Sequence, residues 1–286
     1  AKQAAFINFS SSDLSSKYVG AKLLLGDDGT GRDQNVGSEL VRAHSEKIVK
    51  WVKQFVIDNQ GVMQEGGSVV ILSSFGGGTG ASLMPTVIDA VHNAGYGHRT
   101  VLVGVLSSPR EGVATGPNSV KAFQRIYNDY VLTDKVKCSL LFDNEKFEKS
   151  FELNTYDFGS MNSLIVAFLQ EFFDEDVYRR SATGFQTLDV NEVRRVVRWG
   201  KGLADYSMSE KAIDGDTELK YDSSIFGGKY KLSSAKACAL LVKFKKGEGE
   251  YDQKTLDFVS ESITNFKKKV SSAFFVFGYS FGNKEQ

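Results

Sequence analysis

A run of five residues, Gly76-Gly77-Gly78-Thr79-Gly80, is the stretch of this sequence best suited to hold a charged ligand. Glycines allow backbone conformations that other residues disfavour, so main-chain N–H groups can approach a ligand closely. Where such a loop opens a helix, these donors and the positive helix end suit phosphate oxygens, and Thr79 adds a hydroxyl. A tight turn without a ligand is an equally good interpretation of a short glycine motif by itself.

The residues on either side of this loop predict the elements that position it. Residues 68–75 are apolar and β-branched, which is typical of a strand buried on both faces. Residues 81–94 repeat apolar side chains at helical spacing and end before Gly95, with Pro85 expected in the first helical turn. A strand, a glycine loop and a helix in this order are consistent with a phosphate site.

Further strand and helix patterns alternate along the chain. Strands are predicted at residues 4–9, 100–106 and 138–142, and helices at 38–55 and 120–131. This order predicts an α/β fold with a doubly wound parallel sheet, whose ligand lies at the carboxyl ends of the strands. From about residue 183 a smaller α+β unit is expected, with strands at 237–245 and 272–281 and a helix between them.

The glycine run resembles the signature loop of the tubulin/FtsZ superfamily of GTP-dependent filament proteins. The family pattern is GGGTG, then Ser, Ala or Thr, then Gly; Ala81 fits this pattern, and Ser82 replaces the last glycine. That departure points to the plasmid and phage branch, TubZ. The resemblance implies a GTPase domain, a central helix and a smaller domain. It also implies GTP or GDP as the ligand, with Mg2+ bound mainly through the nucleotide.

By the same resemblance, polar loops along the chain supply the nucleotide contacts. Residues 26–37 are similar to the loop that senses the γ-phosphate, although a flexible surface turn is the alternative. Asn144 matches an asparagine that reaches the guanine or ribose, and Asn162 matches a second asparagine that reads guanine. By themselves, a strand-end turn and a helix cap would explain these two residues. The implied binding residues are Ser10, Ser12, Gly29, Thr30, Gly31, Gly76, Gly77, Gly78, Thr79, Gly80, Pro109, Glu111, Asn144 and Asn162.

Two carboxylates near residue 190 form a second constellation. Asp189 and Glu192 are three residues apart at the start of a predicted helix, so both lie on one face near its positive end. Capping of that helix by acids is the simpler interpretation. The stretch also resembles the superfamily's catalytic loop, with Thr187 in place of the usual Asn. This resemblance implies that both acids are catalytic and polarise the attacking water in the nucleotide pocket of the next subunit.

The resemblance divides the chain into three parts. Residues 1–160 are expected to form the nucleotide-binding domain, residues 161–182 the central helix and linker, and residues 183–286 the α+β activation domain. The superfamily's first strand, with its glycine-rich loop and helix, has no counterpart in this sequence. We therefore expect the phosphate site to be incomplete as written.

Composition restricts the expected partners. The 286 residues are 41% hydrophobic and 24% charged, and 35 basic residues balance 35 acidic ones. This balance gives no reason to expect direct contact with nucleic acid or a membrane. We expect a cytoplasmic protein whose Cys138 and Cys238 are buried, reduced thiols. The superfamily resemblance implies head-to-tail filaments of the chain itself, which segregate a plasmid or position phage DNA, in plasmid cases through a DNA-bound adaptor protein.

Two other functions fit part of the pattern. A Rossmann-like dinucleotide-dependent enzyme shares the parallel sheet and the glycine turn. However, residues 76–80 lack G-x-G-x-x-G spacing, and no acidic residue ends a following strand about 20 residues on. The second alternative is a nucleotide-binding filament scaffold without turnover. Ser82 and Thr187, which both depart from the superfamily pattern, keep this alternative open.

Overall fold

The computed structural model of the chain describes residues 4–12, 14, 20–64, 66–173, 190–198, 203–204, 234–244, 251–270 and 273–281. The chain divides into two compact units. The first comprises Ala1–Phe158 with Gly200–Asp205, and the second comprises Gly159–Trp199 with Tyr206–Gln286. Each unit combines helices with parallel strands, as an α/β fold does.

All strand pairs in the described residues are parallel. The strands are β1 (Ala5–Asn8), β2 (Ala21–Leu24), β3 (Val69–Ser74), β4 (Thr100–Leu106), β5 (Cys138–Asp143), β6 (Leu203–Ala204), β7 (Ala237–Phe244) and β8 (Phe274–Phe281). In the first unit, β1 pairs with β2, and a four-stranded sheet has the order β3-β4-β5-β6. In the second unit β7 pairs with β8. The sheets of the first unit confirm the parallel α/β architecture predicted for that part of the chain.

The helices connect successive strands. They are α1 (Gln34–Ala43), α2 (Ser45–Asp58), α3 (Gln60–Gln64), α4 (Gly78–Val91), α5 (Thr115–Ile126), α6 (Asn144–Ser150), α7 (Phe158–Phe173), α8 (Val190–Val197) and α9 (Gln253–Lys269). In the four-stranded sheet, α4 joins β3 to β4 and α5 joins β4 to β5. Ser74 lies opposite Val105, and Leu106 opposite Asp143, so the loops that follow β3, β4 and β5 leave the sheet at the same edge.

Helix α4 anchors the glycine loop because it packs into two hydrophobic clusters. Met84 and Ile88 lie in a cluster with residues of β4 and α5. Leu83 and Val91 lie in a second cluster with residues of β2, α1 and α2. Each fully buried aliphatic side chain of this size contributes roughly 1.5–3 kcal/mol to folding. The start of α4, where the glycines lie, is therefore held firmly.

Strand β3 is not buried on both faces, which corrects the prediction for residues 68–75. Val69 and Ile71 pack into the core, whereas Val70 and Leu72 are 40% and 51% exposed. Successive side chains of a strand point to opposite faces, and the described residues cover only one face of β3. The apolar composition of β3 matches that of β4, whose first five residues are all buried, and so could not distinguish the two strands.

Helix α4 begins at Gly78, three residues before the predicted start. Pro85 therefore lies in the interior of the helix rather than in its first turn. Its ring nitrogen cannot donate the hydrogen bond that the carbonyl of Ala81 would otherwise accept. The α-helix ends at Val91, three residues before the predicted end, and passes into a wider turn at residues 92–96 in which Gly95 has a φ of 90°.

Other helix predictions were correct in place but not in extent. The helix predicted at 38–55 is two helices, α1 and α2, which meet at His44. The helix predicted at 120–131 begins earlier, at Thr115, and its last turn widens at Tyr127–Val131. In the second unit, β7, α9 and β8 confirm the predicted strand, helix and strand.

Two further properties concern the environment of the chain. No helix in the described part of the chain has the length and apolar character that crossing a membrane requires. Cys238, in β7, is a free cysteine, and burial raises the pKa of its thiol to about 11. Because a thiol with this pKa carries very little thiolate near neutral pH, Cys238 is a poor nucleophile.

Candidate functional site

Two loops that are distant in sequence meet at the start of α4. The hydroxyl oxygens of Thr30 and Thr79 are 3.3 Å apart, although 49 residues separate them in the chain. Thr30 is only 7% exposed. The predicted sensor loop and the predicted glycine loop are therefore in direct contact, as a shared ligand site requires.

Three glycines of the run are needed for packing. A side chain at Gly78 would collide with the Thr30 hydroxyl and the carbonyl oxygen of Asp33. A side chain at Gly76 would collide with the hydroxyl of Ser107, and one at Gly80 with the hydroxyl of Ser73. The absence of side chains at these positions lets α4 approach the neighbouring loops.

Gly77 is different, because packing does not explain it. It precedes the first residue of α4 with extended backbone angles, φ −90° and ψ 172°, which any residue adopts. A Cβ atom placed on Gly77 would have no atom within 4 Å outside its immediate neighbours, and the same holds at Gly31. Gly31 also has a φ of 58°. Both residues border open space, where the backbone remains accessible to a ligand.

Ser10 and Ser12 lie in the loop that follows β1. Their hydroxyl oxygens are 2.8 Å apart, and Ser10 is buried while Ser12 is exposed. A Cβ atom on Gly29 would lie 3.7 Å from the Cβ of Ser10, so this loop borders the loop that carries Thr30. The structure thus brings three predicted loops together: those of Ser10, Thr30 and Thr79.

Two carboxamides that the sequence did not single out hold these loops in place. The Asn118 side-chain nitrogen donates to the carbonyl oxygens of Arg32, at 3.1 Å, and Gly76, at 3.4 Å. The Gln34 side-chain nitrogen donates to the carbonyl oxygens of Phe75, at 3.1 Å, and Asn118, at 3.2 Å. These contacts join segments up to 86 residues apart. Asn118 precedes the helix predicted at residues 120–131, so no sequence pattern pointed to it.

Ser82, the departure from the family pattern, also has a structural role. Its hydroxyl donates to the carbonyl oxygen of Gln34 at 3.2 Å, and its side chain is buried. A Cβ atom on Gly37 would lie only 2.6 Å from the Ser82 hydroxyl oxygen. Ser82 therefore joins α4 to the start of α1 at a point of very close helix packing.

An open depression of about 410 Å3 lies beside the threonine pair. It is lined by Gly31, Arg32, Asp33, Gln34, Asn35, Gly112, Val113, Ala114, Thr115, Asn118 and Lys121. Arg32 has a φ of 67°, which is unusual for a residue with a side chain, and it donates to the carbonyl oxygen of Glu111 at 3.2 Å. Of the predicted binding residues, Gly31 alone lines this depression, so the depression flanks the glycine loop rather than covering it.

A second polar cluster lies at the ends of β4 and β5. A short turn, Pro109–Glu111, follows β4, and the Glu111 carboxylate accepts from the Ser108 backbone N–H at 2.8 Å. The same Glu111 oxygen, Oε1, accepts from the side-chain nitrogen of Asn144, also at 2.8 Å. Asn144 is 6% exposed, and its Oδ1 has no hydrogen-bond partner among the described residues. The structure therefore joins Glu111 to Asn144 and leaves Oδ1 of Asn144 as a buried acceptor.

The preceding residue, Asp143, begins helix α6. Its carboxylate accepts from the Glu145 backbone N–H at 3.0 Å. Burial raises the pKa of the Asp143 carboxyl, and hydrogen bonds from the backbone N–H groups of Glu145 and Lys146 partly offset that rise. Because Asp143 caps α6 from the end of β5, it sets the direction in which the helix leaves the sheet.

The remaining predicted residues belong to the second unit. Asn162 is the fifth residue of α7 and is exposed, so it does not cap that helix. Glu192 lies in the first turn of α8, which confirms the predicted helix start, and it is partly buried. Asp189 and Thr187 lie outside the described residues.

Comparisons with known proteins identify the fold. No protein-family model matches the sequence, and no curated protein matches it significantly. The chain resembles an FtsZ dimer from M. jannaschii, with 18% identity over 99% of this chain and 77% of that chain, at a TM-score of 0.64. It resembles GDP-bound CetZ1 from Haloferax volcanii, with 17% identity over 96% and 78% and a TM-score of 0.64. It also resembles a GTPγS-form protofilament of Bacillus thuringiensis serovar israelensis TubZ, with 13% identity over 98% and 75% and a TM-score of 0.72. The chain therefore has the tubulin/FtsZ fold.

Proposed function

We propose that this protein is a GTP-binding, self-assembling GTPase of the tubulin-like kind, which hydrolyses GTP at the interface between subunits of a head-to-tail filament. The observation that carries the proposal is the convergence of two glycine loops at the Thr30–Thr79 pair, with open backbone at Gly31 and Gly77. This convergence lies at the start of a well-buried helix in a chain with the tubulin/FtsZ fold.

The phosphates are proposed to bind at the start of α4. The first N–H groups of a helix have no partner within the helix, and the helix dipole favours negative charge there. α4 is 14 residues long, and Gly77 leaves the approach to its first turn open. Thr30 and Thr79 supply hydroxyl donors. Because such neutral hydroxyls are weak cation ligands, Mg2+ would be held mainly by the phosphates themselves.

The base and ribose are proposed to bind beyond β4 and β5. The Oδ1 atom of Asn144 is a buried acceptor that lacks a protein partner among the described residues, and burying such an atom unpaired costs about 1–3 kcal/mol. A nucleobase N–H would satisfy this acceptor. Glu111, which holds Asn144, is a candidate for the ribose hydroxyls, and Asn162 is a candidate second contact to guanine.

Self-assembly is supported by the kind of solved structures that share the fold. The FtsZ relative is a dimer, and the TubZ relative is a protofilament. Asp189 and Glu192 are proposed to act on the nucleotide of the adjoining subunit by orienting the attacking water, because phosphoryl transfer depends mainly on positioning and charge. We further propose a cytoplasmic filament that segregates a plasmid or positions phage DNA, with a DNA-bound adaptor in plasmid cases.

The proposal is tested by measuring GTP turnover of the full chain as its concentration is raised, with light scattering recorded in parallel. A threshold concentration above which turnover per subunit and scattering rise together is the expected result. Turnover that is proportional to protein at all concentrations, without scattering, would contradict assembly-coupled hydrolysis. Scattering that depends on GTP without turnover would instead favour the filament scaffold.

A further inference from the structure

Glu148 of helix α6 is a buried acid that the proposed binding set does not use. It is only 4% exposed, and the helix that carries it is held against β5 by Phe147, whose ring stacks on Phe142. A buried carboxylate is costly unless polar groups compensate for the lost water. The partners of Glu148 therefore indicate why this position carries an acid.

Those partners belong to the loop that follows β4. The Glu148 Oε2 atom accepts from the hydroxyl of Ser108 at 3.2 Å, and Ser108 is fully buried. The Arg110 guanidinium is 3.8 Å away, but its side chain is 66% exposed, so solvent weakens this ion pair. Of the two contacts that Glu148 makes with this loop, the hydrogen bond from Ser108 is therefore the stronger.

This link has a fixed direction. The Ser108 hydroxyl donates its proton to Oε2 of Glu148. The lone pairs of the same hydroxyl are then available to the Arg110 backbone N–H, which donates to it at 3.3 Å. Glu148 thereby sets the orientation of the Ser108 hydroxyl and, through it, the short turn that carries Glu111.

The chain of hydrogen bonds continues to Asn144. The Ser108 backbone N–H and the Asn144 side-chain nitrogen both donate to Oε1 of Glu111, each at 2.8 Å. Because the side-chain nitrogen of Asn144 donates to Glu111, the oxygen of the same amide is kept for another partner. That oxygen is a buried acceptor without a partner among the described residues, and so is Oε1 of Glu148.

We infer that Glu148 is a positioning residue for base recognition: through Ser108 and Glu111 it holds Asn144 so that the amide presents an acceptor to a ligand N–H. The inference rests on the proposed function, because it assigns the ligand as the base of a purine nucleotide. Glu148 does not touch the nucleotide. By orienting Asn144, Glu148 sets which edge of the base Asn144 recognises. The start of α4 binds the phosphates and does not depend on Glu148.

The test compares equilibrium dissociation constants for GDP and ADP in the full chain and its variants. Glu148→Ala should raise the dissociation constant for GDP about tenfold while that for ADP changes little, because one directed hydrogen bond is worth about that factor. Glu148→Gln, whose amide oxygen can still accept from Ser108, should keep the GDP preference. Ser108→Ala should resemble Glu148→Ala, and the double variant should be no worse than either single one, because both act in one chain of contacts.

A matched control separates base recognition from general damage. Gly77→Ala obstructs the proposed phosphate end and should weaken GDP and ADP by the same factor. If Glu148→Ala lowers thermal stability but leaves the ratio of the two constants unchanged, Glu148 is only a structural residue and the inference is wrong. If the unmodified chain does not bind GDP more tightly than ADP, the proposed function itself fails, and this outcome is seen before any variant is made.

Discussion

The hydroxyl of Ser82 donates a hydrogen bond of 3.2 Å to the carbonyl oxygen of Gln34. This contact joins the second turn of α4 to the first residue of α1. The glycine run leads into α4 and the Thr30 loop leads into α1, so the contact ties the two loops together through their helices. The residue that departs from the superfamily's glycine therefore supplies a bond that glycine could not make.

Replacement of Ser82 should loosen this contact. Ser82→Ala should lower the free energy of unfolding by about 1 kcal/mol, the typical value of one buried hydrogen bond. Ser82→Gly should lower it by roughly 1 kcal/mol more, because glycine is unfavourable inside a helix. Both values can be measured by urea unfolding.

Ser38→Ala is the matched control for Ser82. The Ser38 hydroxyl donates to the same Gln34 carbonyl oxygen, at 2.7 Å, but from within α1. It does not join two helices, so its loss should cost less than the loss of Ser82. Equal effects, or a Ser82→Ala protein as stable as the parent, would show that the link between α1 and α4 is not important.

Gly77 and Gly78 should respond differently to alanine. Gly78→Ala should destabilise the first unit by about 1–3 kcal/mol, because the new methyl collides with Thr30 and with the backbone of Asp33, which cannot move aside easily. Gly77→Ala should leave the melting temperature unchanged, since open space surrounds the new methyl. Thermal unfolding measures both effects.

Nucleotide affinity completes the test of Gly77. Its alanine variant should raise the dissociation constant for GDP about 10- to 100-fold, the value of one hydrogen bond to a charged group. Isothermal titration calorimetry provides this constant. An unchanged affinity in a folded Gly77→Ala protein would place the phosphates elsewhere.

The raised pKa of Asp143 should make the free energy of unfolding depend on pH. Burial raises the pKa of this carboxyl above its ordinary value of 3.8 in the folded protein. The folded state therefore binds the proton more tightly than the unfolded state, so the Asp143 contribution to stability falls as the pH rises from 3.8 through the raised value. Asn at this position can still accept from the Glu145 N–H and cannot ionise.

Asp143→Asn should remove this loss of stability. Relative to the variant, the unmodified protein should become less stable as the pH rises through that interval, and the difference should stay constant above it. Urea unfolding of both proteins at a series of pH values measures the difference. A difference that does not change with pH would mean that the pKa of Asp143 is not raised.

Glu192 should affect turnover without affecting binding. Glu192→Ala in the full chain should bind GDP as the parent does, lose GTP hydrolysis and form filaments that persist, because the acid is proposed to serve a neighbouring subunit. Asn191→Ala, in the same turn of α8, is the control and should retain turnover. Loss of GDP affinity by the Glu192→Ala monomer would contradict the assignment.

The sequence predicted the elements better than their surroundings. The strand expected at 100–106 is β4 without change, because its apolar residues and flanking polar loops are local signals. The apolar run at 68–75 has the same signal, yet Leu72 is half exposed, since composition does not reveal which face another layer covers. The sequence also predicted Gly78 to lie in a loop, whereas it is the first residue of α4. Glycine weakens a helix pattern in the sequence, although packing against Thr30 and Asp33 requires a glycine at this position.

The site was predictable where it follows strand ends and not where it depends on distant contacts. Thr30, Thr79 and Asn144 each follow recognisable patterns, and the structure places Thr30 against Thr79. Asn118 and Glu148 act through contacts with residues 86 and 40 positions away, respectively. No local pattern encodes such contacts, so these two residues could be found only from the folded chain.

Complementation between two inactive variants tests most directly whether the active site is shared between subunits. Gly77→Ala impairs the proposed nucleotide pocket, and Glu192→Ala impairs the proposed acid. At a GTP concentration that fills the unmodified pocket but not the Gly77→Ala pocket, each variant alone should therefore hydrolyse little GTP. When the two are mixed, the acid of the first can serve the pocket of the second, and we predict that turnover reappears and peaks near equal proportions. Turnover by Glu192→Ala alone, or none in any mixture that still scatters light, would contradict a site built from two subunits.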